Sequence, residues 1–89
     1  ALHNNFPNPF NPTTNIIYDL PKSGHVSLVI YDLLGSEVIT LVNERMESGY
    51  YAARWNGHNH RGQSVSAGIY FYHLQTGEYS KAQKMLLVK

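Results

Sequence analysis

Beyond Thr14 the apolar side chains fall at every second position in short runs, each closed by glycine, proline, asparagine or serine. That two-residue period predicts strands, and no segment holds a helical period. Ile16, Tyr18 and Leu20 mark a first strand, stopped by the turn Pro21-Lys22-Ser23-Gly24. Val26, Leu28 and Ile30 define the face of a second. Tyr31-Asp32-Leu33-Leu34-Gly35 then reads as a type I turn, with aspartate at its start and glycine free to take positive φ. A third strand, about Glu37 to Val42, returns antiparallel, and the polar stretch Asn43 to Ser48 reads as a loop or one irregular turn of helix. Tyr50 to Trp55 is a fourth strand with Tyr51, Ala53 and Trp55 on one face and Tyr50, Ala52 and Arg54 on the other. Asn56 to Gly62 is a loop, and Gln63 to Ala67 has room for a very short strand. Gly68-Ile69-Tyr70-Phe71-Tyr72-His73-Leu74 gives the strongest strand signal; Thr76-Gly77 turns the last hairpin and Tyr79 to Val88 closes the domain. About seven strands result, which predicts an all-β, immunoglobulin-like antiparallel β-sandwich.

Residues 1 to 13 differ from the rest. They carry three of the four prolines, so no helix starts there and a sheet ladder would lack donors. The expected organisation is an extended Pro/Asn-rich linker over 1–13 leading into a sandwich over 14–89. Phe6 and Phe10 are each expected to anchor the segment by burying a ring. The opening Ala1-Leu2-His3-Asn4, without an initiator methionine, reads as part of a longer chain.

In immunoglobulin-like sandwiches a tyrosine near the start of the penultimate strand bonds back to the preceding corner, and Ser66-Ala67-Gly68-Ile69-Tyr70 has that shape. Tyr72 stands where the second disulfide cysteine would be, which predicts aromatic packing in place of an inter-sheet bridge; Trp55, Tyr70 and Tyr72 are assigned to the core.

With 89 residues there is room for one domain, and at 43% apolar and 15% charged residues it belongs with folding chains, not disordered ones. A net charge of +1, spread along the chain, lacks the basic stripe of a nucleic-acid binder. There is no cysteine, hence no disulfide, thiolate nucleophile or cysteine zinc site. No run is long enough to span a membrane and no signal peptide opens the chain, so the export signal of an exported protein would lie elsewhere or be of another type.

Candidate chemistry is thin. Of the five histidines only His58 and His60 are spaced to share a metal, with no evident third ligand, and the loop Asn56 to Gly62 lacks the carboxylates a calcium site uses. Asp19 and Asp32 sit at strand ends and Glu37, Glu44, Glu47 and Glu78 near turns, where they read as turn-formers and solubilising charges. No catalytic residue, cofactor or metal is assigned. Tyr50 and Phe71, as surface rings, leave a carbohydrate-binding accessory role as an alternative; a structural spacer or self-association domain is another.

Taken together, Asn5-Phe6-Pro7-Asn8-Pro9-Phe10-Asn11-Pro12-Thr13-Thr14, then Ile16, Tyr18, Leu20-Pro21, Val29 to Val38, Trp55-Asn56-Gly57, Gly62, Gly68 to Leu74 and the ending Lys84-Met85-Leu86-Leu87-Val88-Lys89 form one pattern. It resembles the type A C-terminal sorting domain of the type IX secretion system, similar in fold to the immunoglobulin-like domain of the flagellar hook-capping protein. The resemblance implies a non-catalytic module linked to an upstream cargo domain and exported to the cell surface or medium of a Gram-negative bacterium. It also implies two partners, the outer-membrane secretion machinery and a sortase-like peptidase. Asn56 departs from the family's common aspartate. The entry motif covers Phe6, Pro7, Asn8, Pro9, Phe10, Asn11 and Pro12; translocon recognition is expected at Lys84, Met85, Leu86, Leu87, Val88 and Lys89. There half the side chains would pack inward while the other half and the strand edge meet a partner, or the run is simply a last strand buried on both faces. Weak self-association through a strand edge is a further expectation.

Overall fold

The computed structural model describes residues 1–89 and contains six strands and no helix: β1 (Thr14–Leu20), β2 (Gly24–Asp32), β3 (Glu37–Met46), β4 (Gly49–Trp55), β5 (Gly68–Thr76) and β6 (Tyr79–Leu87). They form two antiparallel sheets, β1-β4 and β3-β2-β5-β6. The alternating apolar positions read from the sequence face each other between the sheets, with Ile16, Tyr18, Leu20, Val26, Leu28, Ile30, Leu74, Met85 and Leu87 all buried. Trp55, Tyr70 and Tyr72 join them in the core.

Only β2-β3 and β5-β6 are hairpins; the other links carry the chain between sheets. At the first hairpin Gly35 takes φ +85°, its amide donates to Asp32 O at 3.0 Å, and Asp32 Oδ1 accepts from Leu34 and Ser36 amides. The sequence's turn chemistry therefore operates as read. Asn43 to Met46, expected as loop or helical turn, instead prolongs β3. Asn43 lies opposite Ser27 and Met46 opposite Gly24, so the pairing offered by β2 outweighs a polar composition with little intrinsic strand preference. Gln63 to Ala67 contributes one isolated bridge, His58 to Ser64, and no strand.

The entry segment is extended and pairs with both sheets. Residues 1 to 6 lie antiparallel along β1, with bridges Leu2–Tyr18 and Phe6–Asn15, and bonds from the His3 amide to Ile17 O (3.0 Å) and between Phe6 and Asn15 in both directions (2.9 Å). The chain then crosses to the other sheet, where Phe10 makes a parallel bridge to Leu87 on β6. One strap thus closes the same side of both sheets.

Phe10 is 1% exposed and packs on Trp55, ring centroids 5.7 Å apart; Trp55 in turn meets Tyr70 edge-on at 5.2 Å. Phe6 is 76% exposed, which corrects its expected role as a second anchor. Its bridge to Asn15 turns the ring to the outer face of the small sheet, whereas the bridge to Leu87 turns the Phe10 ring inward.

Candidate functional site at the junction of entry segment and last strand

The two segments singled out in the sequence, Phe6 to Pro12 and Lys84 to Lys89, meet. β6 alternates: Met85 and Leu87 point into the core, each 1% exposed, while Leu86 and Val88 are 38% and 39% exposed. Leu86 O accepts from the Phe10 amide at 3.0 Å and the Val88 amide donates to Phe10 O at 2.9 Å. The Leu86 amide donates to Asn8 Oδ1, also at 3.0 Å. The inward and outward division of the tail agrees with the sequence reading. Its strand edge does not: at Leu86 and Val88 that edge is already satisfied by Asn8 and Phe10. The cause is the reach of the strap, which a reading of β6 alone does not contain.

A second set of contacts ties the strap to β5. Tyr72 sits in the core with its hydroxyl 2.8 Å from His3 O and 3.0 Å from the Asn5 amide, which donates to it; Gln83 Nε2 donates to Leu2 O at 3.1 Å. Tyr72 belongs to the four-stranded sheet, and His3 and Asn5 lie on the edge of the other. The tyrosine at the disulfide position therefore does bridge the sheets, but through hydroxyl hydrogen bonds and not through the aromatic packing expected of it. Burial pushes the Tyr72 hydroxyl pKa up, so it stays a neutral donor and acceptor. Asn5, buried, also donates from Nδ2 to Thr14 Oγ1 at 3.0 Å, and the Thr14 hydroxyl donates to Pro7 O at 2.8 Å. These polar contacts fix where the strap leaves β1 and crosses to β6.

Beside the junction, Tyr70 OH donates to Ser66 O at 2.6 Å, the corner bond the sequence shape indicated. Trp55 Nε1 donates to His58 O at 2.9 Å, so the loop after β4 is pinned by the core. Gly57 has φ +77°, and a Cβ there would stand 3.2 Å from Pro12 O; the strap's exit passes close over this glycine. Asn56 Oδ1 and Asn59 Oδ1 accept from backbone amides of their own loop, His58 for the first, Arg61 and Gln63 for the second. These oxygens act as turn-formers.

His3 Nε2 lies 2.5 Å from Asp19 Oδ1, which holds the strap against β1 and keeps the Asp19 carboxyl below its usual range. No group of three His, Asp or Glu side chains converges anywhere in the chain. Tyr50, 86% exposed, and Phe71, half-buried, occupy outer faces of different sheets and so do not form one platform.

The fold and this junction define a class: an immunoglobulin-like sandwich whose entry segment is structurally joined to its last strand. The profile of the secretion system C-terminal sorting domain matches residues 4–89, and the chain belongs to that family. It is thus a sorting module of an exported protein, a signal carried by proteins sent to the cell surface or extracellular space. Among solved structures it is similar to dimeric latent PorU from Porphyromonas gingivalis, with TM-score 0.76 and 19% identity over 98% of this chain and 9% of that one. It is also similar to PorZ, an essential surface component of the type-IX secretion system of the same organism, with TM-score 0.69 and 21% identity over 100% of this chain and 12% of PorZ. A third similar structure is FlgD from P. aeruginosa, with TM-score 0.64 and 25% identity over 83% and 57% of the two chains. The PorU and PorZ likenesses concern the fold, since this chain spans only a small part of either protein. No curated protein matches the sequence.

Proposed function

We propose that this domain has no catalytic activity of its own and is recognised by the outer-membrane secretion machinery at the strap and tail junction. A sortase-like peptidase then acts on the exported protein that carries it. The observation that carries this reading is the meeting of the two motif segments: the Phe10 backbone bonds Leu86 and Val88, so entry motif and tail present a single surface. Exposed Leu86 and Val88, with Lys84 and Lys89 at either side, are the side chains offered to the machinery. A carbohydrate-binding role has less support, because Tyr50 and Phe71 face away from each other across the sandwich.

Two variants of a full-length cargo in a native host test the proposal. Deleting residues 84–89 is expected to leave the cargo in the periplasm, and normal export of that truncation would overturn the reading. The deletion also removes the core residues Met85 and Leu87. A Leu86→Ser, Val88→Ser double variant, which leaves the core intact, is therefore expected to lower export as well. If it is exported like the parent while the truncation is not, the tail serves folding alone and recognition lies elsewhere.

A further inference from the structure

The outer edge of β6 is only partly used. Antiparallel pairing makes successive residues of an edge strand turn their backbone groups alternately toward the neighbour and away from it. Leu86 fixes the parity, because its amide and carbonyl face the strap. Ser80, Ala82 and Lys84, opposite Gln75, His73 and Phe71 on β5, therefore turn their N–H and C=O groups outward too. None of the three has a backbone partner there. This leaves about 17 Å of regular strand edge, at roughly 3.4 Å per residue, directly before the strap takes over. At the other edge of the same sheet β3 is irregular: β2-β3 pairing shifts register at Leu28/Val29 and again at Ile30/Tyr31, and the His60 amide bonds Val38 O.

The sheet is also polarised. β6 carries Lys81 and Lys84 and no carboxylate, whereas β3 carries Glu37 and Glu44 with Arg45 as its one cation. Pairing two copies edge to edge would gather the lysines Lys81 and Lys84 of both onto one seam, which disfavours self-association there and favours an acidic partner. Where the open edge ends, Asn8, Pro9, Ile69, Lys84, Met85 and Leu86 line a depression of about 340 Å³. Ile69 and Leu86, cross-strand neighbours and both partly exposed, give it an apolar side.

We propose that Ser80–Lys84 is a strand-addition site for an extended acidic segment of a partner protein. The partner's carboxylates meet Lys84 on the outer face of the sheet and Lys81 on the opposite one, and an apolar residue at one end of the segment enters the depression beside Ile69 and Leu86. This edge adjoins the tail and shares Lys84 with it, and the inference stands on its geometry whether or not the domain is read by a secretion machine.

The test uses the 89-residue chain and two synthetic probes. One peptide of about eight residues, long enough to cover the edge, sets two glutamates at neighbouring positions among threonines, so that each face of the added strand carries a carboxylate, and ends in leucine; the other has lysine in place of each glutamate. Amide NMR is expected to show the acidic peptide shifting and protecting Ser80, Ala82 and Lys84, and binding roughly tenfold more tightly than the lysine peptide, with the gap closing at high salt. Lys81→Glu with Lys84→Glu should reverse the preference. Ala82→Pro, which removes an amide that bonds nothing within the chain, should abolish protection while the fold persists. Equal binding of both peptides, perturbations confined to other surfaces, or concentration-dependent dimerisation through the same amides without peptide would each overturn the proposal.

Discussion

Phe6 and Phe10 share one short motif and have opposite fates, and the difference follows from what each backbone pairs with. Phe10 bridges Leu87 and turns its ring onto Trp55; Phe6 bridges Asn15 and turns outward. Phe10→Ala should therefore cost about 3–5 kcal/mol in a denaturant unfolding experiment. Phe6→Ala should stay within about 0.5 kcal/mol. The sequence could not distinguish them, because the deciding contacts lie far along the chain. Tyr70 was legible for the opposite reason, since its acceptor Ser66 is only four residues away. Tyr72 falls between: its burial followed from strand alternation, but its partners His3 and Asn5 did not. Tyr72→Phe removes the bond to His3 O and strands the buried Asn5 amide. A loss of about 1–3 kcal/mol is expected, read in the same unfolding assay.

At the scale of elements, the strands with strict apolar alternation appear where the sequence puts them, and those stabilised by pairing do not. Asn43 to Met46 has no apolar period, and β2 draws it into β3 through the positions opposite Gly24 to Ser27. The strap is the larger case. Its prolines argued against a ladder, yet residues 1 to 6 and 8 to 10 find bonding partners around them, on β1 and β6 respectively. Its seat on β1 should weaken in acid. The His3 hydrogen bond lowers the Asp19 pKa in the folded state below the 3.8 of a free side chain. The stabilisation is therefore complete above the unfolded pKa and is lost as pH falls through the lower folded one. Tyr72 sets the converse limit: its raised pKa means that its contribution is complete below about pH 10 and lost as pH rises through the folded value. The protection of the His3 and Phe6 amides, their exchange relative to that of the unfolded chain at the same pH, is expected to fall at the acid end in the parent. Asp19→Asn should remove that acid-end dependence.

For the whole molecule, the family was legible because its motif pieces extend over nearly the full chain, and the sandwich follows from their alternation. The joining of the two motif ends was not legible, since nothing local in either segment specifies the other. In the proposed reading that junction gives the sorting function a physical form, with entry segment and tail recognised as one surface. The most direct measurement fuses residues 1–89 to the end of a reporter that carries its own signal into the periplasm, in a bacterium with type IX machinery, and follows where the reporter goes. If entry segment and tail form the sorting signal, the reporter reaches the cell surface or the medium, and Leu86→Ser with Val88→Ser holds it back while the domain stays folded. A folded, intact fusion that remains in the periplasm would contradict this.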